Sequence, residues 1–140
     1  MPGKARPVLG GCHCGDVRYA CTEPYRYAVH CRCGTCRRSS GAAFMTWVCL
    51  PRPAFRLTRG LPVRRASSPG VERAFCTGCG TQLLMDYAGS DTVDVAVGTL
   101  DEPSGVSARD NIFVCRAAAA GQGVRCHAPS HAGFAPHWEC

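Results

Sequence analysis

Seven of the twelve cysteines fall into three tight clusters: Cys12-x-Cys14, Cys31-x-Cys33-x-x-Cys36 and Cys76-x-x-Cys79. Cysteines so close in sequence do not bridge one another without strain, whereas sulfurs gathered on one turn converge readily on a metal ion. Twelve cysteines in a secreted chain would suggest disulfides. The start, MPGKARPVLGG, carries basic residues with no apolar stretch behind them, and no apolar run is long enough to span a membrane. A cytoplasmic, reducing setting is therefore expected, in which such a count points to metal ligation or catalysis.

Cys76-Thr77-Gly78-Cys79-Gly80 has the form of a zinc knuckle, with two sulfurs on one turn and glycines that let backbone N–H groups face them. It supplies half a tetrahedral site. Cys12-His13-Cys14-Gly15 is its natural partner, and four thiolates make a closed site whose expected role is structural. Cys31, Cys33 and Cys36 differ, because they offer three thiolates to a second ion. That leaves a fourth position for water or substrate, as in catalytic zinc sites. Two zinc ions per chain are thus expected. A closed second site with His30 or Cys49 as fourth ligand is the alternative. An iron–sulfur cluster is disfavoured, since the spacing does not match the common ferredoxin patterns.

The remaining cysteines carry less information. Cys21 and Cys49 sit in strand-like apolar runs and read as small core residues. Cys115, Cys126 and Cys140 receive no role. Cys126, His127, His131 and His137 are scattered ligand types whose spacing repeats no known site. His13, between two expected ligands, reads as a surface side chain.

The elements that must position these clusters are strands. Glycines (16) and prolines (10) punctuate short apolar runs. Strands are expected at Val17–Cys21, Ala43–Leu50, Ala54–Thr58, Val71–Cys76 and Thr81–Tyr87, the last two flanking the knuckle. Thr92–Leu100 gives the clearest pattern, with Val93, Val95 and Val97 on one face and Asp94 on the other. Residues 60–70 read as a loop, and Cys36–Ala43 as a turn or two of helix. The expected fold is mainly β: a single small zinc-stapled domain of several short antiparallel sheets. From Val114 onward the strand pattern is lost, so residues 1–113 are expected to form the domain and 114–140 a divergent, poorly ordered tail.

The formal charge of +6 falls to about +3 once seven thiols ionise and two divalent ions bind. Basic residues are scattered, with only Arg37-Arg38 and Arg64-Arg65 adjacent, and aromatics do not interleave with them. Nucleic acid is therefore disfavoured as a partner, and a small anionic molecule suits the surface better. The sequence gives no oligomeric state.

Four motifs follow in one order: Gly11-Cys12-His13-Cys14-Gly15, Cys31-x-Cys33-x-x-Cys36-Arg37 with Ser40-Gly41-Ala42, Arg73-x-Phe75-Cys76-x-x-Cys79-Gly80-Thr81, and Gly98-Thr99-Leu100-Asp101. Over roughly residues 9 to 103 the chain resembles the glutathione-dependent formaldehyde-activating enzyme family, also called the CENP-V/GFA domain. The resemblance implies a β-rich zinc-binding fold. It implies a structural site at Cys12, Cys14, Cys76 and Cys79 and a catalytic site at Cys31, Cys33 and Cys36. Asn111-Ile112-Phe113-Val114 matches a later family strand, with Asn111 where histidine is common.

What the resemblance implies for function is a zinc-dependent carbon–sulfur lyase acting on a thiol adduct of a small aldehyde or related electrophile, with glutathione as a candidate thiol. Arg37 and Arg38 could pair with glutathione carboxylates. Asp101 reads as a turn residue. The alternative is a non-catalytic zinc-binding module for protein or nucleic-acid association.

Overall fold

The computed structural model describes residues 6–114 and 129–134. Ten strands and one α-helix follow along the chain: β1 (Val8–Gly11), β2 (Arg18–Cys21), β3 (Tyr27–Cys31), α1 (Gly34–Ser40), β4 (Met45–Pro51), β5 (Phe55–Arg59), β6 (Val63–Ser68), β7 (Val71–Phe75), β8 (Gln82–Tyr87), β9 (Thr92–Ala96) and β10 (Asp110–Ile112). They form two sheets, one of order β1-β2-β5 and one of order β10-β3-β4-β9-β8-β7-β6. The mainly β expectation holds. Pairing is antiparallel except at β10, which joins β3 in parallel after the chain has crossed back over the sheet.

Alternation along the central strands explains the layering. One face of the large sheet carries Ala28, Val48, Leu50, Ala74, Leu84, Val93 and Val95, which pack with Val17, Tyr19 and Cys21 of the small-sheet side. The opposite face carries Val29, Cys31, Trp47, Met85 and Ala96, packed with Cys36 of α1 and Ile112. Cys21 and Cys49 are buried small residues, as expected. The close approach between β1 and β2 needs Gly10, where a Cβ would lie 2.3 Å from Tyr19 Oη and 2.5 Å from the Thr99 carbonyl oxygen. Tyr19 Oη in turn shares a 2.7 Å hydrogen bond with Thr99 Oγ1.

Three local expectations are corrected. Residues 60–70 are not a loop: β6 pairs with β7 from Val63↔Phe75 to Ser68↔Val71. Its side chains are almost all exposed, so the strand has no apolar face for the sequence to reveal, and its arginines suit a sheet edge. The strand expected over Thr92–Leu100 ends at Ala96, and Val97–Thr99 turns as a 3-10 helix. The helix starts earlier than Cys36, because Cys33 caps it by accepting the Cys36 N–H through its sulfur. Gly41, at φ 71°, closes it. No helix among the described residues is long and apolar enough to cross a membrane.

Asp94 does lie opposite Val93 and Val95, yet it is buried, because both faces of the large sheet are covered. Its Oδ2 has no hydrogen-bond partner among the described residues. Burial pushes the Asp94 carboxyl up to about 7, offset in part by a hydrogen bond from Cys49. The folded protein therefore keeps a proton that the unfolded chain loses near the ordinary value of 3.8. Asp94 favours folding most below that value, and the advantage is lost as pH rises to about 7. Asp94→Asn is thus expected to exceed the parent in stability above pH 7, by up to about 4 kcal/mol. The gap should close toward pH ~4, as followed by denaturant unfolding of both proteins.

Candidate metal centres

The first cluster is built from two turns that the fold carries together. After β1, Cys12 accepts the Gly15 N–H through its carbonyl oxygen at 3.2 Å and the Val17 N–H through its sulfur at 3.2 Å. After β7, Cys76 accepts the Gly80 N–H at 2.7 Å and donates its own N–H to Thr81 at 3.0 Å. Gly15 and Gly80 take φ values of 84° and 77°, which side chains rarely adopt, so each turn can close behind its cysteines. A Cβ at Gly78 would lie 3.0 Å from Asp16 Oδ2 and in ordinary contact with the Cys14 and Cys76 sulfurs, at 3.5 and 3.6 Å.

The four sulfurs of Cys12, Cys14, Cys76 and Cys79 lie within 4.8 Å of one another. Cys12 and Cys14 Sγ are 3.5 Å apart, and Cys14 and Cys76 Sγ 3.7 Å. A tetrahedron with zinc–sulfur bonds of ~2.3 Å has edges of ~3.8 Å, so this donor set fits a zinc ion. Thiols this crowded cannot all ionise without a cation. Hydrogen bonds from the Thr81 hydroxyl and backbone N–H hold Cys79 down at about 5. The Asp16 backbone N–H lowers Cys14, but burial and sharing with Cys12, Cys79 and Cys76 push it up to about 12. A bound divalent ion would let all four ionise.

The second cluster comes from one short stretch where β3 passes into α1. Cys31 ends the strand, Cys33 caps the helix and Cys36 faces inward from its first turn. Their sulfurs again lie within 4.8 Å of one another, and no described His, Cys, Asp or Glu joins them. Cys31 and Cys36 beside it hold the Cys33 thiol at about 2, while Cys31 is driven up by the same contacts and by burial. One sulfur thus carries the charge that an ion would spread over three.

His30 and Cys49, the two expected alternatives for a fourth ligand, are turned elsewhere. The pleat of β3 puts His30 on the opposite face from Cys31, where its Nδ1 shares a 2.7 Å hydrogen bond with Thr46 Oγ1. Cys49 shares the face but lies further along the ladder, opposite Tyr27 and Asp94. Arg37 and Arg38 lie in the last turn of α1 and do not line the cluster's cavity. Asp101 is the expected turn residue, and it also pairs through both carboxylate oxygens with Arg18 of β2. His13 is exposed. Of the four scattered ligand types near the end of the chain, His131 is described and contacts Asp110 at 3.0 Å. Cys126, His127 and His137, like Cys115 and Cys140, lie outside the described residues.

The surroundings of the second cluster come from distant elements; Arg73 and Asn111 stand in the sequence motifs, but nothing in the sequence ties them, or Trp47, to this cluster. Trp47 Nε1–H and an Arg73 N–H both donate to Cys36 Sγ, at 3.3 and 3.4 Å. Arg32 stacks on Phe44 at 4.4 Å and donates to Asn111 Oδ1 at 3.2 Å, tying the cysteine loop to β10. A cavity of about 150 Å³ opens beside the sulfurs, lined by Thr35, Ser68, Val71, Arg73, Tyr87 and Phe134 among others. Phe134 belongs to a segment that returns to β10: Phe113 N–H donates to Gly133, Val114 N–H to His131, and the Phe113 and Phe134 rings meet edge-on at 4.9 Å. Phe113 holds φ 55°, a strained value for an aromatic residue, on this wall of the cavity.

A larger cleft of about 640 Å³ passes His13, Arg18, Thr46 and Thr81, but none of the three-cysteine sulfurs reaches it. The chemistry therefore argues for the smaller cavity. That cavity shares Ser68, Val71 and Tyr87 with an outer cleft of about 600 Å³ that also holds Arg52, Glu72 and Asp86.

Three comparisons bear on this arrangement. A protein of Rhodobacter sphaeroides with a known crystal structure shares the fold, with a TM-score of 0.57 and 22% identity over 87% of this chain and 98% of its own. An uncharacterized lyase of Schizosaccharomyces pombe is 31% identical over 78 residues, 56% of this chain, and the match spans only 56% of that relative's length. The family model described as glutathione-dependent formaldehyde-activating enzyme matches residues 7–116. Those residues contain both cysteine clusters and the strands that hold them, and the chain belongs to that family.

Proposed function

We propose that the protein is a zinc-dependent enzyme of the carbon–sulfur lyase type, acting on the adduct of a thiol and a small aldehyde, with glutathione as the thiol. The observation that carries this reading is the three-sulfur cluster, with no fourth ligand type among the described residues, beside its own cavity. The family and the lyase named among its relatives support the same class of chemistry. In this reading Cys12, Cys14, Cys76 and Cys79 hold a structural zinc, and Cys31, Cys33 and Cys36 hold a catalytic one.

Zinc bound there would lower the pKa of a thiol at its fourth position and supply a thiolate at neutral pH. The chain's own part is to place and enclose the reactants. At about 150 Å³ the cavity is below the ~300–1,000 Å³ of pockets that enclose a whole drug-sized ligand. It suits the sulfur, its methylene and a one-carbon aldehyde, and leaves the body of a tripeptide thiol to the outer cleft. Val71, Met85, Ile112, Phe113 and Phe134 keep water from the reacting end. In the forward direction sulfur attacks the carbonyl carbon, the C–S bond forms, and the carbonyl π pair moves to oxygen. The proton lost by the thiol ends on that oxygen. Thr35, Ser68 and Tyr87 are the hydroxyl-bearing residues on the cavity wall available to carry it.

Two measurements test this assignment. Cys31→Ser is expected to cost one of two zinc ions with a modest change in Tm, while Cys76→Ser lowers Tm by roughly 10 °C or more. Zinc analysis and thermal unfolding would read both, and loss of both ions in Cys31→Ser would contradict the division of roles. With glutathione and formaldehyde, exchange NMR should show the wild type accelerating adduct formation and Cys31→Ser losing at least 100-fold of that acceleration. X-ray absorption showing four protein ligands at the second zinc would sink the proposal.

A further inference from the structure

Arg73 lies on β7 with only 8% of its surface exposed. No described carboxylate lies within salt-bridge distance of it, although Arg18, Arg26, Arg52, Arg64 and Arg109 all have one. Its guanidinium contacts Ser67 Oγ at 3.1 Å, Ser39 Oγ at 3.4 Å and Cys36 Sγ at 3.4 Å, and sits 5.8 Å over the Trp47 ring. Hydroxyls and a ring do not neutralise a guanidinium, which stays protonated in proteins. A buried cation without a counter-charge is strongly unfavourable, and among the described residues the group in contact that can become anionic is the sulfur cluster.

We propose that Arg73 is the buried counter-ion of the Cys31–Cys33–Cys36 cluster, and that its charge biases the open position toward an anionic sulfur ligand over a neutral one. The proposal deepens the reading of that cluster as a zinc site with an open position, and rests on it. Three thiolates around a divalent ion carry a net charge of −1, so a thiolate arriving as fourth ligand meets repulsion. With Arg73 in contact the pair is neutral before binding and carries −1 after it. A neutral ligand gains nothing from the same charge. Arg73 also lines the cavity, so its charge faces the arriving ligand as well as Cys36. Trp47 donates to the same sulfur with no charge, and separates hydrogen bonding from electrostatics. Arg73 acts through the cluster and is a positioning residue.

The test uses the full chain loaded with cobalt(II), whose sulfur-to-metal charge-transfer bands report ligands at the open position; the four-thiolate site adds a constant background. Titrations with 2-mercaptoethanol and with imidazole give affinities for an anionic sulfur and for a neutral nitrogen. Arg73→Gln is expected to weaken thiolate binding about tenfold or more while imidazole changes less than about threefold. Arg73→Lys should restore the ratio, and Trp47→Phe should leave it within about twofold. Equal losses of both ligands in Arg73→Gln, or an unchanged ratio, would overturn the proposal. Should Arg73→Gln not fold, a lost ratio in Arg73→Lys or a shift of about tenfold in Trp47→Phe would overturn it equally. If the wild type binds no added thiol, the open-site reading itself fails, and this inference with it. Those outcomes differ from a wild type that binds thiol with no dependence on Arg73.

Discussion

The structure depends on the meeting of two cysteine turns, one between β1 and β2 and the other between β7 and β8. Cys14 and Cys76 are 62 residues apart in sequence and their sulfurs are 3.7 Å apart in space. The first turn belongs to the small sheet and the second to the large one, so the four sulfurs meet where the two sheets come together and could fasten them through a shared ion. Strands of three to seven residues and turns rich in glycine give each sheet modest cohesion. An ion held by the four sulfurs would add what so small a core lacks. Gly10 and the Tyr19–Thr99 hydrogen bond continue the same join along the β1–β2 side.

The second cluster answers to a different constraint. All three sulfurs come from six consecutive residues, so ligating them closes no long loop and fastens no layers. What distant parts of the chain supply is environment. Trp47 and Arg73 aim N–H groups at Cys36, Arg32 ties the loop to Asn111 of β10, and residues 129–134 bring Phe134 to the cavity wall. Asn111 serves as an acceptor for Arg32 and as a pairing partner of His30 across the ladder. The local sequence makes the sulfur triad, and long-range packing decides its charge, its access and its shape.

Sequence patterns were informative where a side chain's type alone limits what it can do. Cysteines at knuckle spacing, glycines behind them and alternating valines in β9 all point one way, and each sits where that chemistry requires. Patterns failed where the backbone or the opposite face decides. Strand β6 exists because its backbone completes the ladder beside β7, and its exposed side chains carry no sign of that. Asp94 occupies the polar phase of its strand, yet a covered second face buries it. The helix begins at Gly34 because a cysteine sulfur caps it, a role that propensity assigns to serine, threonine or aspartate.

By itself, then, the sequence determined which cysteines gather, in groups of four and three, and the strand-rich class of fold, since spacing and residue type are local properties. It also held the ordered motifs by which the family can be recognised. Only the tertiary structure decided that His30 points away from the triad and that Cys49 lies too far along the ladder. It decided as well that an arginine 37 residues distant shares a contact with Cys36. Those outcomes follow from strand register and from which faces are covered. Both are set by pairings between segments far apart in the chain, so no local pattern encodes them.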